Sequence, residues 1–329
     1  MPEPSLPSKR TRRGRFARWS AGLVVLSAVA GYVVVQYDTG GTRGPDCKVV
    51  SGKGDGATYE FTPEQAVNAA TITAVGTARE LPERAVTIAL ATALQESALR
   101  NIDHGDRDSL GLFQQRPSQG WGTPEEIMDP VYAAGKFYEH LEEVPGYTRL
   151  PLTVAAQRVQ RSGFPQAYAK HEPDAALLAA ALTGRSAATL TCEGRPAATR
   201  AAGADAVRTA LARDFGRDAL EPAGAEVGTT PSPSPSVSAP AESGDSGDSD
   251  GGTVRLPVTA GEGADAGARG WQLAHWAVAN ASELRIKRVS YAGREWTAGH
   301  TDSQWRPADG KNAEGSDDGA GVVTITTTP

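Results

Sequence analysis

Residues 82–97 read PERAVTIALATALQES, an apolar run that ends in a single carboxylate, Glu96. Its spacing predicts a helix from Pro82 to about Ser97. A carboxyl group at the edge of an apolar helix tends to have a raised pKa and can stay protonated near neutral pH. That property suits a general acid for glycosidic cleavage. A solvated glutamate in the last helical turn is the alternative, which the spacing alone favours. The apolar positions are Val86, Ile88, Leu90 and Leu94.

Helix starts recur through residues 47–220. Thr62–Gln65 and Thr123–Glu126 each place Thr at the N-cap, Pro at N1 and Gln or Glu at N3, which is a capping box. We expect the first of these helices to reach about Arg79 and the second about Leu141. Almost nothing in this segment alternates with period two, so the pattern predicts a mainly α domain. Further helical runs begin at Pro151, Asp174 and Asp205.

The N-terminal segment joins a basic tail to an uncharged run. Residues 1–20 carry six Lys and Arg against Glu3, and residues 21–37 carry no charge. Such a run is at the short end for one transmembrane helix, and the positive-inside rule places the tail in the cytoplasm. We therefore expect a single-pass signal-anchor in the cell membrane, with the bulk of the chain extracytoplasmic. A cleaved signal peptide is the alternative, although residues 31–37 offer no Ala-x-Ala cleavage box.

The charge distribution excludes one class of partner. The whole chain sums to −6, and because the basic tail contributes +5, the remaining residues sum to −11. Nucleic-acid binding needs a basic surface, so an acidic body argues against it.

The two cysteines, Cys47 and Cys192, lie near the two ends of the helical segment. Outside the cytoplasm a disulfide persists, so we expect these residues to be bonded to each other. Two unrelated free thiols are the alternative. Two Cys and five His are too few for a Cys-rich zinc module, and the sequence indicates no metal site and no cofactor.

The C-terminal part contains a linker and a small second module. Residues 222–252 are rich in Pro and Ser and then in Gly, Ser and Asp, a composition that cannot bury a core. Residues 253–329 hold four of the six Trp. A helix over 271–280, a strand over 288–291 and a last strand over 321–326 predict a small α+β module.

Four blocks in order carry a family resemblance. They are Gln95–Ser97, Leu110–Gln115, Asp129–Pro130 with the helix after it, and Val154–Tyr168. Together they resemble the Glu-Ser, Gly-Leu-Met-Gln, Asp-Pro and Ala-Ala-Tyr-Asn-Ala-Gly segments of the lysozyme-like lytic transglycosylases. The resemblance is to the domain as it occurs in actinobacterial membrane-anchored cell-wall proteins, and it covers about residues 62–170, a third of the chain.

The resemblance implies a lysozyme-like fold and a substrate, the glycan strands of peptidoglycan. Glu96 would be the acid/base that cleaves the β-1,4 bond between N-acetylmuramic acid and N-acetylglucosamine, by a lytic transglycosylase or a muramidase mechanism. Protein partners are not indicated. Gln114, Gln115 and Tyr168 are candidates for hydrogen bonds to acetamido groups, and Phe113 and Trp121 for stacking on a sugar. For Phe113 a position in the hydrophobic core is the favoured alternative. For Trp121 a core position and stacking on a sugar are equally favoured.

The chain departs from the family pattern in two places. Gln157–Arg158 stands where the family has Tyr-Asn, and residues 101–109 replace its Ser-rich loop. In that loop Asp103 or Asp106 could supply a second carboxylate for hydrolysis. A solvated turn and a weak cation site are the alternatives. A non-catalytic peptidoglycan-binding protein or a cell-envelope scaffold is the alternative function.

The C-terminal module resembles part of a zinc D,D-peptidase-like domain. The family ends in an Asp-His-Val-His-Val strand, whereas residues 321–325 contain no His. A catalytic zinc needs three protein ligands, which His275 and His300 alone cannot supply. We therefore expect a degenerate, non-catalytic module whose Trp side chains belong to a core rather than to a sugar platform.

Overall fold

The computed structural model describes residues 46–161, 165–195, 203–216, 252–258, 266–299, 304–308 and 321–328. The predicted tail (1–20), the predicted membrane segment (21–37) and the predicted linker except for Gly252 lie outside these ranges. Within them, no helix is both long enough and apolar enough to span a membrane.

Seven helices form the part of the described chain that precedes residue 217. The second of them, which carries Glu96, packs against most of the others. The helices are α1 (Pro63–Ala78), α2 (Glu83–Ser97), α3 (Pro124–Ile127), α4 (Pro130–Glu142), α5 (Leu152–Gln160), α6 (Glu172–Leu182) and α7 (Ala204–Phe215).

Local capping decides where two of these helices begin. Thr62 and Thr123 both form the predicted capping boxes, at the starts of α1 and α3. The helix that begins after Thr123, however, does not continue to Leu141 without a break. Asp129 caps a new helix, α4, because Pro130 disfavours helical backbone in the residue before it. Each start therefore follows from residues within one turn of it.

A three-stranded antiparallel sheet closes the helical part. Its strands, β1 (Cys47–Val50), β2 (Thr58–Phe61) and β3 (Leu190–Cys192), are ordered β2-β1-β3. Cys47 pairs directly with Cys192 in the ladder, and the two form a disulfide across a sequence separation of 145 residues. The predicted disulfide is confirmed.

The C-terminal segment forms a second antiparallel sheet and two helices. The longer of these helices packs on two strands of this sheet and also on α1 and α6. The elements are β4 (Thr253–Pro257), α8 (Ala266–Ala279), α9 (Ala281–Leu284), β5 (Ile286–Tyr291), β6 (Arg294–Thr297), β7 (Arg306–Pro307) and β8 (Val322–Thr327). The strand order is β4-β8-β5-β6-β7.

Tryptophan side chains join the C-terminal segment to the helical part. All four of its Trp are buried, as expected of core residues. Trp296 donates its indole N–H to the Cys192 carbonyl at 3.1 Å, and Trp305 donates to the Leu190 carbonyl at 2.9 Å. The described residues from Asp46 onwards belong to one compact unit. The second sheet is therefore packed against β3.

The predicted fold class, a mainly α domain with one transmembrane helix and a small α+β module, is wrong. The described chain combines helices with two antiparallel sheets, and none of its helices can span a membrane. Strands β1 and β2 have four residues each and β3 has three, so period-two alternation is too short to detect. Their pairing also joins residues that are far apart in sequence, which no local pattern records.

His275 is buried where the C-terminal segment meets the helical part of the protein. Its Nδ1–H donates to the Ala181 carbonyl at 2.7 Å, and its Nε2 accepts the Thr189 N–H at 3.3 Å. A proton on Nε2 would oppose that N–H, and the rings of Trp271 and Trp305 surround the imidazole. Burial lowers the pKa of His275 to about 4. The imidazole is therefore neutral in the folded protein.

This histidine predicts a loss of stability in acid. The unfolded chain takes up the proton near pH 6.5 and the folded chain only near pH 4, so the free energy of unfolding falls as the pH drops between these values. We expect a loss of about 3 kcal/mol between pH 7 and pH 4, measured by urea unfolding. In His275→Gln, which has no titrating ring, this part of the pH dependence should vanish. Parallel curves for the two proteins would refute the assignment.

Candidate functional site

The C-terminal end of α2 holds Glu96 in place. Beyond it the backbone turns through two left-handed residues, Ala98 with φ 53° and Leu99 with φ 58°. Non-glycine residues adopt this conformation only when neighbouring contacts maintain it. Here Gln65 donates to the Ala98 carbonyl at 2.8 Å and Asn68 donates to the Leu99 carbonyl at 2.8 Å. Helix α1 therefore fastens the end of α2 by two hydrogen bonds.

Ser97 connects the same helix end to the segment 110–115. Its Oγ donates to the Leu112 carbonyl, 2.8 Å away. The segment itself is closed by a backbone bridge between Leu110 and Gln115. Two of the four blocks of the family resemblance are thus in direct contact.

The Glu96 carboxyl group is half-buried and accepts a hydrogen bond. Tyr168 Oη donates to Glu96 Oε1 at 2.6 Å. Burial raises the pKa of Glu96 above its ordinary value, and this effect exceeds the lowering of the pKa by the Tyr168 and Gln160 side chains. The predicted raised pKa therefore has a physical cause in the fold.

This arrangement is suited to proton transfer. A carboxyl group with a raised pKa keeps its proton closer to neutral pH and can donate it to a bound substrate. Such a group acts as an acid in one step and, once ionised, as a base in the next.

The structure places Tyr168, Phe113 and Gln115 in the interior. Tyr168 is fully buried and bonds Glu96 rather than presenting an exposed edge to a sugar. Phe113 stacks on Phe137 with ring centroids 4.6 Å apart, which is the core position left open as its alternative. Gln115 is buried and donates to the Ala133 carbonyl at 3.0 Å. These three side chains therefore support the site from the protein interior and are not exposed to a ligand.

Gln114 and Trp121 are the half-exposed candidates. Gln114 has left-handed backbone, with φ 49°, and its amide donates to the Gly111 carbonyl at 3.3 Å. Trp121 lies against His140, with ring centroids 4.4 Å apart. Both keep part of the side chain at the surface, so both retain a face that a ligand can contact.

The loop candidates Asp103 and Asp106 are exposed and engaged by their neighbours. Asp103 bonds His104 at 3.0 Å, and Asp106 lies 4.0 Å from Arg107. Asp108 is held more firmly, by Arg116 at 3.0 Å and by the Ser118 N–H at 2.8 Å. Over the ranges that the structure describes, no group of three His, Cys, Asp or Glu is arranged to hold a metal. The contacts therefore favour the solvated turn.

The sequence reasoning missed three residues that hold the site. Gln65 was visible only as a capping-box residue, yet its amide reaches across to α2. Asn68 and Gln160 carried no signal in the sequence, because their partners are backbone carbonyls 31 and 47 residues away.

A family model described as the C-terminal domain of VldE matches residues 228–318 of the chain. The match covers less than a third of the chain and does not include Glu96. No curated protein gives a significant match.

Proposed function

We propose that the protein cleaves the β-1,4 bond between N-acetylmuramic acid and N-acetylglucosamine in peptidoglycan, with Glu96 as the single acid/base. The observation that carries the proposal is the Glu96 carboxyl group, half-buried with a raised pKa and hydrogen-bonded by Tyr168. Hydrogen bonds join residues of three of the four blocks of the resemblance to lytic transglycosylases: Tyr168 donates to Glu96, and Ser97 donates to the Leu112 carbonyl. That convergence supports the resemblance independently of the sequence order.

The mechanism needs one carboxyl group. Protonated Glu96 donates its proton to the glycosidic oxygen as the bond from that oxygen to C1 of the muramoyl residue breaks. Ionised Glu96 then takes the proton of the muramoyl C6 hydroxyl, whose oxygen bonds to C1 and closes a 1,6-anhydro ring. If water replaces the C6 hydroxyl, the same steps give hydrolysis. Glu96 returns to its protonated state in either case.

The disulfide supports a place outside the cytoplasm, where peptidoglycan lies. Cys47 and Cys192 are bonded, and structural disulfides of this kind are typical of oxidising compartments and rare in the cytosol. Neither a metal nor a cofactor is required by the proposed steps.

Product analysis tests the proposal. The purified full-length protein is incubated with peptidoglycan and the soluble muropeptides are analysed by mass spectrometry. We expect products with 1,6-anhydro ends, because the proposal places the C6 hydroxyl as the nucleophile; reducing ends would instead indicate a muramidase. If no products form but the protein is retained on pelleted peptidoglycan, the result would indicate a non-catalytic peptidoglycan-binding protein. No products and no retention would favour an envelope scaffold.

A further inference from the structure

Strand β3 lies at an edge of the first sheet. In the order β2-β1-β3 it has a neighbouring strand on one side only. The Thr189 carbonyl, just before the strand, accepts the Val50 N–H of β1 at 2.9 Å. Because alternate residues of an antiparallel strand direct their backbone groups to opposite sides, the carbonyls of Leu190 and Cys192 point away from β1. A free strand edge would leave these two carbonyls unpaired.

Two tryptophans of the C-terminal segment occupy this edge. Trp305 donates its indole N–H to the Leu190 carbonyl at 2.9 Å, and Trp296 donates to the Cys192 carbonyl at 3.1 Å. The chain just beyond the strand is packed closely as well. A Cβ atom at Gly194 would lie 2.6 Å from Cη2 of Trp296, which leaves no room for a side chain. The two indoles therefore take the hydrogen-bonding place of a further strand.

The strand held in this way carries one half of the disulfide. Cys47 is 1% exposed and Cys192 is 2% exposed. Thiol–disulfide exchange requires a thiolate to reach a sulfur atom, so the folded protein must open before a reducing agent can attack. Proteins open in parts as well as globally, and a partial opening costs less free energy. Separation of the C-terminal segment from β3 would free the edge next to Cys192 without unfolding the helices.

We propose that the C-terminal segment is a clamp that shields the Cys47–Cys192 disulfide from thiols, and that reduction of the native protein proceeds through separation of this segment from β3. With a dithiol, one thiolate attacks a cysteine sulfur and releases the other cysteine as a thiolate. The second thiol of the reagent then resolves the mixed disulfide, so the reagent leaves oxidised to a cyclic disulfide and both cysteines are reduced. The inference is independent of glycan cleavage.

Trp305→Phe and Trp296→Phe test the clamp, since each keeps an aromatic ring and removes one indole N–H. The carbonyl that loses its donor is unpaired in the closed state and hydrated in the open state, so opening becomes more favourable. We expect each substitution to raise the rate of disulfide reduction about tenfold. The purified full-length protein is incubated with excess dithiothreitol without denaturant, alkylated at intervals and analysed by mass spectrometry.

Tyr138→Phe is the matched control. The buried Tyr138 hydroxyl donates to the Ile72 carbonyl at 3.0 Å, between α4 and α1. This substitution also removes one donor from a buried carbonyl, so it should lower the melting temperature by a similar amount. It should change the reduction rate by less than about twofold, because the helices remain packed when only the C-terminal segment separates.

The wild-type protein offers a second measurement that needs no variant. Urea acts in proportion to the surface that an opening exposes. The logarithm of the reduction rate, converted to free energy, should therefore rise with urea by less than half of the slope for equilibrium unfolding.

Reduction through global unfolding would give a different pattern. The urea slope would equal the equilibrium slope, and the three variants would accelerate reduction equally, which would overturn the proposal. Unchanged rates in both tryptophan variants would also overturn it. If one tryptophan variant does not fold, the other decides, since the two act on separate carbonyls. Acceleration confined to the tryptophan variants, with the small urea slope, is the expected result.

Discussion

We expect Glu96→Gln to lower the rate of muropeptide release by about a thousandfold, within the range for removal of a general acid-base group. The amide has nearly the shape of the carboxyl group and can still accept from Tyr168, so the fold around the site should persist. It can neither give a proton to the glycosidic oxygen nor take one from the C6 hydroxyl. The measurement is the initial rate of release at saturating peptidoglycan, followed by mass spectrometry.

Glu83→Gln is the control for this variant. Glu83 lies in the first turn of the same helix and pairs with Arg185 at 2.9 Å on the surface. The same chemical change there should leave the rate within about twofold, because exposed ion pairs contribute little. Glu96→Gln should also melt at the same or a higher temperature, since it removes a carboxyl group that burial disfavours in its charged form. A rate near that of the wild type would exclude Glu96 as the acid/base.

Asp214→Ala should destabilise the protein by about 3–5 kcal/mol, as expected when one partner of a buried charged network is removed. Asp214 is buried on α7 and accepts three hydrogen bonds. Trp276 Nε1 donates to its Oδ2 at 2.8 Å, and Thr71 Oγ1 donates to the same atom at 3.3 Å. Arg213 Nε donates to Oδ1 at 2.7 Å. The substitution leaves these donors without their acceptor.

The network joins parts of the chain that are distant in sequence. Thr71 belongs to α1 and Trp276 to α8, so Asp214 links the helical part to the C-terminal segment. Calorimetry should show a melting temperature lower by about 10 °C. In Asp205→Ala, on the same helix, the lost carboxylate is fully exposed and paired only with Arg208, and the shift should stay below about 2 °C. Equal shifts in the two variants would show that Asp214 is not a structural link.

Sequence reasoning predicted most of the helices and the capping boxes at Thr62 and Thr123. These features depend on residues within a turn of each other, so the information is local. The break before Pro130 was missed, because the capping box at Thr123 alone led to the prediction of one helix reaching about Leu141. The fold class was wrong because three strands of three or four residues pair over long distances.

The candidate site was predicted in part. Glu96 and Tyr168 were both identified from the family resemblance, because the position of Glu96 at the end of an apolar helix alone favours a solvated side chain. The role expected for Tyr168 differed, since its hydroxyl bonds the carboxyl group rather than standing exposed to a sugar. Phe113 and Gln115 were chosen by their place in a motif, and only the packing around them shows that they are buried. Burial is a property of the assembled chain.

By itself the sequence determined the helix starts, the pair of cysteines and the carboxylate at the end of α2, because each depends on residue type and local spacing. Tertiary structure alone decided that Cys47 and Cys192 face each other across a ladder, and that four Trp and His275 join the C-terminal sheet to the helices. It also brought the Tyr168 hydroxyl to the Glu96 carboxyl group. The reason is physical: a pKa and a hydrogen bond depend on what lies within a few ångströms, and chain neighbours supply only part of that surrounding.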